Sequence, residues 1–377
     1  MRTITLLAAG VGWLVGTPTI VEYDIPTPNS APHCLVAAPD GLIWFAEIGA
    51  NKLGRFDPQT EKFTEWPVPT ADGRPHGITW ASDGRLYLTE QRGNKIAAFD
   101  PKAERFSEYP LPHDGSGPHT PIQGPDGMIW FTEQAGNRIG RLDPATGKIV
   151  EYDVPTPRAN AYGIIGSRQE MAVYFAELEG HKLGRVDVRT GKVTEFPTPT
   201  PNSGVRRLAI DRSGGIWMSY NRAGKVARFD PSTKAFKEYD APGGPHGQPY
   251  TIEVDSTGHV WFNQFDPTAN DLVELDPTSG KMTSYKIPSG PALVRKLTVD
   301  AHNTVWYANN GQSKIGKVKR RPLGGRPPTN GAQPHQRDSV AATGPPRGRS
   351  QPLGLQARQD SGRAILGNPL EATPGKA

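Results

Sequence analysis

Apolar and polar residues alternate along this chain in short runs rather than the longer stripes a helix needs, and the runs repeat. The phrase IWFAE at 43–47 returns as LYLTE at 86–90, IWFTE at 129–133 and VYFAE at 173–177. Looser copies are IWMSY at 216–220, VWFNQ at 260–264 and VWYAN at 305–309. The aromatic in second place (Trp44, Tyr87, Trp130, Tyr174, Trp217, Trp261, Trp306) recurs every 43 to 45 residues. A period of that size marks a stacked or radial repeat, whose units bury their apolar faces only against one another.

Each period divides into four strand-like runs. In the second they are HGITWA (76–81), RLYLTE (85–90), KIAAFD (95–100) and RFSEYPLP (105–112). Turn formers separate them: Asp83-Gly84, Gly93-Asn94 and Pro101-Lys102. This hairpin chemistry leaves no room for a helix. Four antiparallel strands per period make a β-propeller blade. The predicted fold is all-β, a seven-bladed propeller over residues 20–319. VEYDIPTP (21–28) matches the fourth strand of a blade, whereas SKIGKVK (313–319) ends on a third. The N-terminal strand is therefore expected to complete the last blade and remove the open sheet edges.

Composition changes this picture only at the ends. Residues 320–377 are rich in Pro, Gly, Arg and Gln and lack periodicity, which predicts a disordered tail. The tail holds nine Lys/Arg against three Asp/Glu, a net of +6; with +5 for the whole chain, residues 1–319 carry about −1. The basic balance thus belongs to the tail and gives no reason to expect a nucleic-acid partner. Residues 1–19 begin with one Arg and an apolar run too short to span a bilayer, as in a short secretory signal or a disordered start. A periplasmic or secreted monomer is expected, with cytoplasm as the alternative and no membrane partner. Cys34 is the sole cysteine, so disulfides say nothing about compartment.

Candidate chemistry appears when the repeats are registered on the aromatic. Eleven residues upstream, with one extra in the fourth blade, stand His33, His76, His119, Tyr162, Arg206, Tyr250 and Arg295. Three residues downstream stand Glu47, Glu90, Glu133, Glu177, Tyr220, Gln264 and Asn309. The first strand of a propeller blade is innermost. The upstream set is therefore expected to ring one mouth of the central channel, with His76 opposite Glu90 and His119 opposite Glu133. A carboxylate buried beside an imidazole needs a proton, a metal or a ligand. The bland reading of each Glu is a strand end that ties down a loop. No G-x-S-x-G, P-loop or H-E-x-x-H motif is present.

The run PHGITWASDGRLYLTEQRGNKIAAFDP (75–101), with echoes at 118–144 and 32–58, resembles the virginiamycin B (streptogramin B) lyases across all seven blades. The resemblance implies a Mg²⁺-dependent elimination that opens the ester of a cyclic depsipeptide or related lactone. It assigns catalytic roles to His76, His119 and Tyr162 and places Glu133 fourteen residues beyond His119. Gly117 stands where the family carries a second Glu. Mg²⁺ would sit near Glu133, with Glu90 as a further ligand, and His119 or His76 would move the proton. His33, Glu47, Arg206, Tyr250 and Arg295 would complete the substrate site, the arginines meeting an anionic group. Two other readings stay open: a metal-dependent lactonase that hydrolyses, and a propeller that binds a ligand or protein without catalysis.

Overall fold

The computed structural model describes residues 19–265, 271–290 and 293–319. The predicted tail and residues 1–18 of the predicted start lie outside the described residues. The strands form seven four-stranded antiparallel sheets. Blade 1 is built from Pro32–Ala37, Ile43–Glu47, Lys52–Asp57 and Lys62–Pro67, and blades 2 to 6 follow the same order. In blade 7, Val294–Val299, Val305–Asn309 and Lys314–Lys319 are completed by the chain's first strand, Thr19–Asp24. Thr19 pairs with Lys319 and Asp24 with Lys314, so the ring closes as expected.

The recurring aromatics are the core between blades, each no more than 2% exposed. They also fix the turn beneath them. The indole N–H groups of Trp130, Trp217, Trp261 and Trp306 donate to Asp126, Asp211, Asp255 and Asp300 in the turn joining strands 1 and 2. Tyr87 donates to Asp83 in the same way. A buried aromatic with a polar tip usually finds such a partner, although the Trp44 indole N–H has none. Opposite, the third strand carries Gly54, Gly140 and Gly184, where a Cβ would lie within about 2.2 Å of Phe45, Phe131 and Phe175. Only glycine lets these rings reach the next strand. Trp130→Ala is expected to cost about 3–5 kcal/mol. It would be read as a lower urea midpoint with an unchanged m-value.

The first two strands pair with a bulge that decides where side chains point. Pro32, Pro75, Pro118 and Ala161 lie opposite Glu47, Glu90, Glu133 and Glu177, and the register then shifts. The expected opposition of His76 to Glu90, and of His119 to Glu133, therefore does not form. Neighbouring residues on a strand alternate in direction, so His and Glu diverge. Thr89, Thr132, Ser219 and Asn263 fill the bulge. Each accepts the amide of the residue after a ring position and donates to a carbonyl in the next blade.

Candidate active site

His33, His76, His119 and Tyr162 come from the first strands of four consecutive blades, and their rings follow one another around the channel. Centroids are 3.7, 3.9 and 4.0 Å apart. His76 Nδ1 donates to the carbonyl of His119 at 3.0 Å. A carbonyl only accepts, so the proton sits on Nδ1 and Nε2 keeps its lone pair. The same carbonyl accepts the Thr89 hydroxyl at 2.8 Å, which holds it in place. His119 Nδ1 lies 3.3 Å from the carbonyl of Tyr162 and 2.8 Å from the Thr120 hydroxyl. Burial is the main force that lowers all three histidine pKa values well below the ordinary 6.5; nearby arginines and, for His33 and His119, the neighbouring His76 add to it. The imidazoles are neutral bases at pH 7.

The other half of the ring is cationic. The hydroxyls of Tyr162 and Tyr250 meet at 2.6 Å, and Arg206 Nη2 donates to Tyr162 at 3.0 Å. Arg206 lies 4.0 Å and Arg295 5.2 Å from the centre of the Tyr250 ring. Burial alone would raise the Tyr250 phenol. Arg206, Arg207 and Arg295, with the Tyr162 hydroxyl, outweigh it and bring the phenol down to about 8. A cavity of about 480 Å³ opens here, bordered by His33, Arg74, His76, Tyr162, Tyr250 and Arg295. A second cavity, of about 400 Å³, lies at the strand 1–2 turns. Its acids Asp211 and Asp255 are taken up by turn amides and tryptophans, and Asp276 by the Thr278 amide and the Ser279 hydroxyl.

The seven ring residues are thus brought together, and the glutamates are not. Glu47, Glu90 and Glu133 are 0% exposed, and none of their carboxyl oxygens has a hydrogen-bond partner. Their neighbours are the outer-strand acids Glu65, Glu108 and Glu151 and the bases Lys52, Lys95 and Arg138. Burial, reinforced by the adjacent acid, raises Glu47 to about 8 and Glu90 and Glu133 to about 7. The outer acids in turn bind the loop of the preceding blade: Thr27 donates to Glu65 and Thr70 to Glu108. These glutamates belong to the clamp between blades, the bland reading of the sequence.

The fit of Mg²⁺ can be tested on these positions, since it prefers a near-octahedral shell of oxygens. The unpartnered oxygens of Glu133 are a candidate, but burial raises this carboxyl to about 7, which leaves it only partly ionised at neutral pH, and Arg138 Nη1 stands 3.9 Å away. Position 117 borders the same loop, with its Cβ direction 3.3 Å from Ala135, and it is Gly. At the mouth the ligand atoms that gather within 4.8 Å are those of His33, Cys34 and His76, softer donors than Mg²⁺ takes. The residues present do not fit Mg²⁺.

Sequence reasoning missed Arg74, Cys34, Thr120 and Arg207. Arg74 holds a φ of +58° two residues before His76, the place Gly117 takes before His119 with +59°. Cys34, Thr120 and Arg207 each follow a ring residue by one position, and that offset was the available signal.

The sequence profile described as the Virginiamycin B lyase family matches residues 4–129 and 61–336. Among solved structures, a streptogramin B lyase superposes with a TM-score of 0.74 at 30% identity, covering 80% of this chain and 97% of its own. Virginiamycin B lyase from Staphylococcus aureus gives 0.74 at 29%, covering 80% and 99%. A catalytically inactive form of that enzyme, solved with quinupristin, gives the same values. Among curated proteins nothing matches.

Proposed function

The chain belongs to the virginiamycin B lyase family, and on that premise we propose that it is a carbon–oxygen lyase that opens a cyclic ester by elimination. The observation that carries this reading is the neutral His76, whose Nδ1 proton is engaged and whose Nε2 lone pair is left for a substrate in the cavity. Nε2 removes the proton from the carbon that is α to a carbonyl and β to the ester oxygen. That electron pair becomes the new double bond, the C–O bond breaks, and the ester's acyl part leaves as a carboxylate. The mass of the opened product equals that of the ring. His76 then releases its proton to solvent, which its lowered pKa favours.

Negative charge develops twice, on the carbonyl next to the carbanion and on the departing carboxylate. Tyr162 and Tyr250, joined at 2.6 Å with Arg206 3.0 Å from the Tyr162 hydroxyl, form a cation-backed hydroxyl pair that borders the same cavity as His76. Fixed cations in a dry site stabilise such charge strongly. No step is routed through Mg²⁺, which the acids do not fit. The substrate class is a lactone or depsipeptide small enough to enter the mouth.

The test is mass spectrometry of a streptogramin B antibiotic incubated with the purified protein, with Mg²⁺ and with EDTA. An opened product of unchanged mass in both arms is expected. A product heavier by one water means hydrolysis and favours a lactonase. Activity lost in EDTA restores a metal requirement. An untouched antibiotic, repeated with simple cyclic esters, leaves a binding propeller.

A further inference from the structure

One tier below the mouth the channel is crossed by a single side chain. Arg207 leaves blade 5 and donates from Nη1 to the Thr120 hydroxyl of blade 3 at 2.8 Å; its Nη2 lies 3.6 Å from Cys34 Sγ of blade 1. It is 3% exposed. The same tier carries Gly163, which packs against the backbone of blade 5. A Cβ on Gly163 would lie 2.9 Å from the Arg207 Cα itself. Arg207 lies 5.1 Å from the Tyr162 ring, which borders the cavity together with Tyr250 and Arg295, and Arg206 stands beside the same two rings.

Three guanidinium groups converge on one Tyr250 ring: Arg206 at 4.0 Å, Arg295 at 5.2 Å and Arg207 at 6.0 Å. Among the described residues no carboxylate comes within 4.0 Å of any of the three. Several half-buried arginines elsewhere do have such partners, as Arg141 has Asp126 and Arg228 has Asp211. The Nε atoms of Arg206, Arg207 and Arg295 are all buried and all lack an acceptor. Arg207 is buried without a counter-charge, and Arg206 and Arg295 are half-buried beside it with neutral partners only, such as Asn221 and Tyr162 for Arg206. Three cations so close repel one another. A fold that gathers them around an open cavity is poised for an anion that comes from outside.

We infer that the cationic wall around Tyr250 forms an oxyanion-binding site, in which Arg207, Arg206 and Arg295 take the carboxylate or phosphate of a small molecule. Guanidinium groups present paired N–H donors that match either group. The site concerns binding alone and goes beyond the elimination: it can exist in a protein that catalyses nothing. If the elimination also holds, the site gives the departing carboxylate a place to go.

The experiment is calorimetric titration of the full chain with sodium acetate, succinate and inorganic phosphate at constant ionic strength, with chloride as control. Saturable binding of at least one oxyanion is expected, and the comparison of carboxylates with phosphate identifies which group the site takes. Arg207→Gln is expected to weaken that binding at least tenfold, and Arg206→Gln with Arg295→Gln to do the same from the wall. The wall variants keep the test decisive should Arg207→Gln fail to fold. Absence of saturable binding to the wild-type protein overturns the proposal, as does binding unchanged in the variants. Neither result bears on whether an ester is opened, which the mass of the product decides separately.

Discussion

His76→Gln is expected to lower kcat/KM for ring opening by about 10²–10⁴-fold, the usual contribution of a positioned base. Glutamine keeps a hydrogen-bonding side chain of similar size and has no basic lone pair, so the loss would be chemical and the melting temperature close to that of wild type. The pH profile tells a base from a structural residue. Burial, Arg207 and Arg295 hold His76 well below 6.5. Wild-type activity should therefore persist as pH falls through 6.5 and drop only at more acidic values. A rate that halves at the ordinary histidine value would mean that the imidazole is solvated and lies outside the buried ring. Full activity in His76→Gln would remove it from the mechanism. His113→Gln, at an exposed imidazole in contact with Glu151 and outside the cavity, is the control expected to leave ring opening unchanged.

The period, the strand boundaries and the closure were legible because each rests on local chemistry repeated in every blade. Gly84 and Gly127 turn the chain beneath an aromatic, and a blade that ends one strand short announces its partner. The ring of His, Tyr and Arg was legible for the same reason. What sequence could not carry was the bulge between Pro75 and Ile78, which turns His76 into the channel and leaves Glu90 under the loop. The pattern read each Glu as a partner for His, whereas its neighbours come from the outer strand of its own blade. Those contacts span 18 residues, from Glu90 to Glu108, and no local signal marks them. Arg207 was hidden differently. Its meaning depends on Thr120 and Cys34, which only ring closure brings across the channel.

The clamp makes a second expectation, a fall of melting temperature on the order of 5 °C between pH 6.5 and 8. Glu47 and Glu177 are raised from 4.5 to about 8, and Glu90 and Glu133 to about 7, chiefly by burial. The folded state then binds more protons than the unfolded one. The stability from these groups is fully present below about 4.5 and is lost as pH rises through 7 to 8. His33, His76 and His119 are lowered, so their contribution is complete above 6.5 and is lost as pH falls through their folded values. Between 4.5 and 6.5 the two sets oppose one another, four carboxyls against three imidazoles, so stability should fall more gently there than above 6.5. Above 6.5 only the glutamates remain, and each tenfold gain in a carboxyl's proton affinity on folding is worth about 1.4 kcal/mol before solvent screening reduces it. Replacing Glu47 and Glu177 together by Gln, neutral at every pH and of the same shape, should flatten the alkaline limb and leave the variant more stable than wild type at pH 8. Neither residue belongs to the cavity, so ring opening should be unchanged. If the double variant keeps the wild-type slope, these carboxyls are ionised in the fold. The clamp would then hold charged pairs, and Glu133 would again have the charge a divalent cation requires.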